Sequence, residues 1–226
     1  MTQYIQRHSL FKRVIHGIHT VACLALIASG VFVFVPSLGS AIGQEAMQTV
    51  RLIHRVFAVV FIGGPLVGLI VAPKGFVKIV KNLTAPWDDD DKKFMAKFVK
   101  YLFAAKTTHM PPQHEVKSGQ RLADGALILA AVAISISGVF LWIGTPTISY
   151  GLFAAMLLIH DISFFLVAVI MVAHIYLGAG LFQPYRGLGR LMFGNGRVTV
   201  GEARYHWGHW ADEELASGKN VVSDTN

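Results

Sequence analysis

The sequence predicts an all-α membrane protein built from four transmembrane helices. Of the 226 residues, 54% are hydrophobic and 15% are charged, whereas ordinary soluble domains carry about 25% charged residues. Four apolar stretches, at residues 14–35, 50–72, 122–143 and 151–180, each have the roughly 20 residues that a helix needs to cross the hydrocarbon core. We therefore expect one helical bundle, residues 14–182, between an N-terminal arm (1–13) and a C-terminal tail (183–226).

The first span shows no small-residue cleavage site and is too long for a signal-peptide core, so we interpret it as retained. Basic residues predict its orientation. The connections 36–49 and 144–150 contain no Lys or Arg, whereas the arm, the loop 73–120 and the tail contain many. Because Lys and Arg accumulate on the cytoplasmic side, we expect both termini and this loop to be cytoplasmic in a multi-pass membrane protein. The net charge of +7 then reflects topology and lipid attraction, and nucleic-acid binding is not expected.

The loop 73–120 is long for a structureless connection. Its run Asp88–Asp91, followed by several lysines, predicts a short helix that begins near Trp87, with acid at its start and base at its end. The apolar residues of this helix would then lie on the membrane surface. They are Phe94, Met95, Phe98, Tyr101 and Leu102.

The single cysteine, Cys23, lies within the first span. One cysteine forms no internal disulfide and cannot hold a cysteine-ligated iron–sulfur cluster. We expect any such cluster to belong to a partner subunit.

Four histidines lie within or at the ends of the apolar stretches: His16, His54, His160 and His174. Ionisable side chains are rare in hydrocarbon and usually functional there. His160 and His174 are 14 residues apart, a rise of about 21 Å and nearly four whole helical turns. They should therefore share one face of the last span at opposite ends, as expected of two stacked cofactor sites.

Depth in the membrane sorts these histidines into two pairs. With the predicted orientation, His54 and His160 lie towards the outer side, and His16 and His174 lie towards the cytoplasm. Two imidazoles from facing helices are typical axial ligands of a six-coordinate b-type haem, and no C-x-x-C-H motif for covalent haem attachment occurs. Two alternatives stay open: hydrogen bonding of each histidine to a neighbouring helix, and zinc binding, for which two imidazoles per level fall short of four ligands.

Two glycines lie at matching intervals. Gly30 follows His16 by 14 residues and Gly68 follows His54 by 14, so each helix that ligates one haem offers a residue without a side chain at the level of the other. A packed macrocycle needs such clearance. The alternative is helix packing, because Gly64 and Gly68 form a small-xxx-small pair.

Several motifs together resemble a known family. They are Arg13-Val14-Ile15-His16 followed by Ser29-Gly30 and Pro36, Arg51-Leu52-Ile53-His54, Leu157-Leu158-Ile159-His160, Ala173-His174-Ile175-Tyr176, and in the tail Gly194-Asn195-Gly196-Arg197-Val198 with Ala203, His206 and Trp210. Over nearly the whole chain these residues resemble the cytochrome b (γ) subunit of membrane-bound respiratory formate dehydrogenases. The histidines are shared with the cytochrome b subunits of nickel–iron hydrogenases, and the tail favours formate dehydrogenase.

The resemblance implies two haem b groups, with His54 and His160 holding the outer one and His16 and His174 the inner one. It also implies partners. A molybdenum- or tungsten-pterin subunit oxidises formate, and an iron–sulfur subunit passes electrons to the outer haem. The inner haem then reduces a quinone, menaquinone or ubiquinone, near the cytoplasmic face. Substrate oxidation would take place on the partner, and this chain would transfer electrons.

The resemblance also implies a quinone site before the third span, where the family carries an Asn-x-Gly-Gln motif. Here the stretch reads Lys117-Ser118-Gly119-Gln120, so Gly119 and Gln120 match and a lysine stands in place of asparagine. Gln120 could donate a hydrogen bond to a quinone carbonyl, and Gly119 would allow close backbone approach. The alternative is a simple turn before a helix.

His19 lies three residues after His16 and shares its face. It is an alternative haem ligand, a hydrogen-bond donor to a propionate or quinone, or a packed residue. Three functions therefore remain open: the formate dehydrogenase cytochrome, the cytochrome of a nickel–iron hydrogenase or another quinone-linked oxidoreductase, and a non-redox membrane scaffold or transporter subunit.

Overall fold

The computed structural model describes residues 2–144 and 147–223. In chain order its elements are β1 (Gln3–Gln6), α1 (Leu10–Phe34), α2 (Pro36–Val71), α3 (Pro73–Thr84), α4 (Asp89–Phe103), a 3₁₀ turn (Ala105–Thr107), α5 (Ser118–Val139) with a π-helical turn (Phe140–Gly144), α6 (Tyr150–Gly178), α7 (Arg190–Phe193), β2 (Arg197–Thr199), α8 (Val200–His206), α9 (Gly208–Ser217) and β3 (Val221–Ser223). Helices predominate, and α1, α2, α5 with its π turn, and α6 are long and apolar enough to cross a membrane. The prediction of four membrane-spanning helices is confirmed.

The spans leave large apolar side chains exposed. Ile70, Leu129 and Val172 are each more than 70% exposed. Water would make such surfaces costly, whereas lipid chains solvate them. A regular helix also satisfies the backbone polar groups of its interior, as a membrane requires.

The second long helix begins earlier than we expected. We predicted a connection over residues 36–49, but α2 begins at Pro36. Proline fits the first turn of a helix because its missing N–H has no intrahelical partner there. The helix is interrupted at Gly43, where φ is +81°, a conformation that glycine adopts without steric cost.

The chain divides into two compact units. The terminal unit joins the N-terminal segment up to Val14, Val77–Gly125 and the chain from Ala173 onward; the span unit joins Ile15–Phe76 and Ala126–Val172. In the span unit a cluster of buried apolar side chains contains Cys23, Ala130, Val167 and Met171. Cys23 is therefore a buried thiol of the first span, as its position in the sequence suggests.

The core of the terminal unit contains a small antiparallel sheet in the order β2-β1-β3. We did not predict it from the sequence. Ile5 of β1 pairs with Val198 of β2 and with Val221 of β3, and Ile5 and Val198 are fully buried. The sheet therefore ties the N-terminal arm to the tail. Strands of three or four residues are too short to show a clear alternating pattern.

Helix α4 begins where the charge pattern predicts. Asp88 accepts a hydrogen bond from the backbone N–H of Asp91, whose side chain reciprocates in a capping box. The expected position on the membrane surface is wrong for two residues, because Phe94 is 2% exposed and Tyr101 3% exposed. The unpredicted helix α3 instead exposes its apolar residues, which are Phe76, Val77, Ile79 and Val80.

Candidate functional site

The span unit brings His54 of α2 and His160 of α6 together. Their ring centroids are 6.4 Å apart and the ring planes are inclined by 61°. An imidazole nitrogen lies about 1.1 Å from its ring centre and a metal–nitrogen bond is about 2.0 Å, so two imidazoles on opposite sides of one iron have centroids about 6.2 Å apart. The observed spacing fits two axial ligands of one haem.

A serine of α1 fixes the orientation and tautomer of His54. The Ser29 hydroxyl lies 2.7 Å from the carbonyl oxygen of Ala25 and 2.8 Å from Nδ1 of His54. The hydroxyl has one hydrogen, which it donates to the carbonyl, so Nδ1–H of His54 donates to the serine oxygen. The lone pair of Nε2 is then available for a metal.

Helix α5 repeats this arrangement at His160. The Ser137 hydroxyl donates to the carbonyl oxygen of Ala133 over 2.7 Å and lies 3.2 Å from Nδ1 of His160. Both serines are buried, Ser29 at 7% exposure and Ser137 at 0%. Each predicted outer ligand therefore has its own serine, and His160 also forms a hydrogen bond with the backbone of Ile134.

Glycines allow the two imidazoles to approach the helices that carry these serines. A Cβ added at Gly138 would lie 3.1 Å from Cε1 of His160, closer than almost all real contacts. At Gly30 it would lie 3.7 Å from Cε1 of His54 and 3.4 Å from Phe164. Gly30 thus lies beside His54, and its role in haem clearance stays a prediction.

The second predicted clearance position is open. A Cβ added at Gly68 would meet no described atom within 4 Å, apart from its chain neighbours and the backbone of its own helix. Open space at Gly68 agrees with haem clearance. The haem itself and the role of Gly68 stay predictions.

The predicted inner ligands fall in different units. His16 of α1 belongs to the span unit and His174 of α6 to the terminal unit, and their pairing stays a prediction. Thr20, one turn after His16, places its hydroxyl 3.4 Å from Nδ1 of His16 and donates to the carbonyl oxygen of the same residue over 2.8 Å. As at His54 and His160, a hydroxyl thus lies beside Nδ1 of a predicted ligand, here within one helix.

His174 has a polar neighbourhood in the terminal unit. Nε2 of Gln120 donates to Oδ2 of Asp124 over 3.2 Å, and Asp124 lies close enough to His174 for a coulombic interaction. The predicted quinone residue Gln120 is thereby linked through Asp124 to the predicted inner ligand. Asp124 was not among the residues that we expected at the site.

The other two residues of the quinone motif point into the protein. Gly119 faces α4, because a Cβ added there would lie 3.7 Å from Sδ of Met95. Lys117 is 7% exposed, and its Nζ lies 3.3 Å from Nδ1 of His206 and 4.3 Å from the ring centroid of Tyr185. Lys117 therefore belongs to the core of the terminal unit.

This core depresses the basicity of its polar groups. Burial, with the charge of Arg7, lowers the pKa of Lys117 well below its usual value. The pKa of His206 is lowered to about 3, mainly by burial and to a smaller extent by the charge of Lys117. His206 is neutral at physiological pH, which is consistent with the stacking of its ring on Tyr185 and its tilted contact with Trp207.

His19 is packed. Its ring stacks on Phe61 with centroids 4.3 Å apart and planes inclined by 23°. This contact favours the packing interpretation of His19 over a second ligand.

Sequence reasoning missed the serines and Gly138 as parts of the site. The available signal was a repeated dipeptide, Ser29-Gly30 in the first span and Ser137-Gly138 in the third. In each helix the serine hydroxyl lies beside Nδ1 of one imidazole, and the glycine that follows it leaves space for the same imidazole.

Comparison with protein families gives one match. A family model described as prokaryotic cytochrome b561 matches residues 7–194, which is 188 of 226 residues. The match includes the four histidines and both serines, and it ends before most of the tail motif. No curated protein matches the sequence.

Proposed function

The chain belongs to the prokaryotic cytochrome b561 family, so it is a multi-pass membrane cytochrome b that transfers electrons, and we propose that it is the di-haem subunit that anchors a formate dehydrogenase complex. In this role it passes electrons from an iron–sulfur partner, through an outer and an inner haem b, to the quinone pool. A molybdenum- or tungsten-pterin partner oxidises formate. The complex lies in the bacterial inner membrane, with both termini of this chain in the cytoplasm.

The geometry of His54 and His160 carries the proposal. Their centroid spacing is 6.4 Å and a serine hydroxyl lies beside Nδ1 of each, so the two residues would hold one haem iron through their other ring nitrogens. When bound, haem b supplies reversible one-electron transfer. The chain contributes neutral imidazole ligands, fixes their tautomer, and surrounds them with apolar side chains and uncharged hydroxyl groups.

The polar chain Gln120–Asp124–His174 supports quinone chemistry on the cytoplasmic side. Reduction of a quinone to a quinol takes up two electrons and two protons. Gln120 can donate a hydrogen bond to a quinone carbonyl, and Asp124 is a carboxyl group placed to transfer a proton beside the predicted inner ligand. Lys117 plays no part in this proposal because its amine is buried against His206.

The tail supports formate dehydrogenase over other partners. Its motif residues Ala203, His206 and Trp210 are buried in the terminal unit, and most of the motif lies beyond the part of the chain that the family model matches. The support for formate therefore rests on the resemblance of the tail, and the support for a cytochrome rests on the family and the histidine geometry.

The test is donor-dependent reduction of the haems in the purified complex. We expect formate to produce the absorption α-band of reduced haem b and hydrogen to leave the spectrum oxidised. Reduction by hydrogen alone would replace formate dehydrogenase with a hydrogenase partner. A purified chain with no haem spectrum would overturn the electron-transfer role itself.

Quinone reduction is tested separately with Asp124→Asn. We expect formate still to reduce the haems of this variant, while electron transfer to an added quinone analogue falls at least about tenfold. Glu45→Gln, a change in the first part of α2, is the control. Unchanged quinone reduction in Asp124→Asn would remove Asp124 from the site.

A further inference from the structure

A second group of metal-binding side chains lies in the terminal unit. Asp88 directly precedes α4, His114 lies in the segment before α5, and His209 lies in α9. One ligand atom from each of these three residues lies within 4.8 Å of the others. Three segments far apart in the sequence thus place two imidazoles and one carboxylate together.

The contacts within this cluster are close. Nε2 of His114 lies 3.0 Å from Oδ2 of Asp88, and the rings of His114 and His209 stack with centroids 4.8 Å apart and planes inclined by 27°. A further carboxylate is adjacent, because Oδ2 of Asp90 lies 3.0 Å from Nε2 of His209. Each imidazole therefore has a carboxylate beside it.

We propose that Asp88, His114 and His209 form a binding site for a divalent transition metal ion of the zinc class. Two ligands of a tetrahedral zinc ion are about 3.4 Å apart, given metal–ligand bonds of about 2.1 Å. The His114–Asp88 pair, at 3.0 Å, is near this separation, and all three ligand atoms lie within 4.8 Å of one another. Nitrogen ligands favour zinc over calcium or magnesium, which take oxygen.

The coordination count also suits such an ion. Three protein ligands leave one position for a water molecule or for the carboxylate of Asp90. If Asp90 does not bind the metal, it orients His209 through the existing contact, as carboxylates behind metal-bound histidines commonly do.

The backbone around the cluster is anchored independently of a metal. Asp88 uses Oδ1 to cap α4, 2.7 Å from the backbone nitrogen of Asp91, which leaves Oδ2 for the site. Asp91 bonds Arg121 at 3.1 Å and Ser118 at 2.7 Å, so the starts of α4 and α5 are held together. The third segment is attached through Gln113, whose carbonyl accepts from the backbone nitrogen of Trp210.

The ligands remain accessible to an ion. The side chains of His114 and Asp88 are 49% and 44% exposed. A bound ion would cross-link the α4 start, the segment before α5 and α9, and would thereby stabilise the terminal unit by binding its folded form.

The experiment is zinc titration by calorimetry of the purified, haem-loaded chain in detergent after treatment with a chelator. We expect one saturable zinc ion per chain. His114→Ala and His209→Ala should each weaken binding at least about tenfold. Asp88→Asn keeps a good helix cap but removes the charged ligand, and should also weaken binding.

His109→Ala is the matched control, because His109 is an exposed histidine of the same connecting segment. It should bind zinc like the parent chain. Zinc should raise the thermal midpoint of the parent and of His109→Ala but not of His114→Ala or His209→Ala, with haem spectra unchanged in all four. Absence of a saturable site in the parent, or equal loss in His109→Ala, would overturn the proposal.

Discussion

The span unit and the terminal unit bury polar groups in opposite ways. In the span unit, each outer histidine is held by one serine, whose hydroxyl is already bonded to a carbonyl of its own helix. In the terminal unit, buried ionisable groups meet across the fold: Asp91 bonds Arg121, and Lys117 contacts the neutral His206. Hydroxyl groups position the predicted ligands in the first case, and ionisable groups join distant segments in the second.

The difference follows from what each unit must do. Neutral, correctly oriented imidazoles are what a haem iron requires, and charged neighbours would be costly in hydrocarbon. The terminal unit has to assemble two chain ends and a long connection. Buried charges with specific partners suit that task, because removing one partner leaves the other uncompensated.

The largest expected effect is loss of a cofactor from the span unit. If His54 and His160 hold the outer haem as proposed, replacing either with Ala should remove that haem and leave the inner one, because only one of its two imidazole ligands would remain. The haem-to-protein ratio of the purified chain should fall to about half. His19→Ala is the control, since His19 stacks on Phe61, and it should retain both haems. Loss of the inner haem from His54→Ala would show that the pairing is wrong.

The second-largest expected effect is a loss of stability in the terminal unit when Asp91 is replaced, with the outer haem retained. Asp91 is 2% exposed and bonds both Ser118 and Arg121. Asp91→Ala leaves the buried guanidinium of Arg121 without its carboxylate, which should cost about 3–5 kcal/mol of stability. The measurement is denaturation in detergent, followed by tryptophan fluorescence for the terminal unit and by absorption for the haems.

Asp89→Ala is the matched control for Asp91→Ala, because it removes an exposed aspartate from the same helix. Asp89 pairs with Lys92 at 3.2 Å, but its side chain is 82% exposed, so its loss should cost less than about 1 kcal/mol. Equal destabilisation by both variants would contradict the distinction between buried and exposed charge in this unit.

The same contrast explains what the sequence could predict. Four spans and four histidines follow from apolar length and helical spacing, which are properties of residues close together in the chain. The pairing of Ile5 with Val198 and the burial of Lys117 against His206 depend on residues about 90 to 190 positions apart. In the sequence, Lys117 is one of the basic residues of the loop before the third span. Positive charge beside an apolar stretch usually marks the cytoplasmic side of a membrane protein, so it gave no sign of burial.

A smaller effect is expected from replacing the serines beside His54 and His160, which should change the reduction potential of the outer haem without removing the haem. Ser29→Ala or Ser137→Ala removes the acceptor of one Nδ1–H, and such second-layer partners typically contribute 10- to 100-fold, roughly, to metal affinity. The imidazole then donates less electron density, so the reduction potential of the outer haem should rise. Redox titration and haem dissociation measure both effects.

Two further variants serve as controls for the serine prediction. Ser29→Thr keeps a hydroxyl and should restore the parent potential, whereas Ser40→Ala removes a serine that donates only to the carbonyl of Pro36 among the contacts described for it and should change nothing. A potential in Ser29→Ala equal to that of the parent would mean that the hydroxyl does not act through the ligand.

The smallest effect is a pH dependence confined to the terminal unit. Burial, Lys117 and Arg7 lower the pKa of His206 to about 3, against a partial opposing effect of Glu202, while an unfolded histidine titrates near pH 6.5, roughly. Between these values the unfolded chain binds more protons than the folded chain. The contribution of His206 to stability is therefore complete above about pH 6.5 and falls as the pH decreases, by at most about 1.4 kcal/mol per pH unit.

The stability of His206→Gln should depend less steeply on pH than that of the parent between about pH 6.5 and 5.5. The exposed control His109→Gln should follow the parent. If His206→Gln retained the full slope, another group would cause the acid sensitivity of the terminal unit, and the burial of a neutral His206 in its core would not be the reason for it.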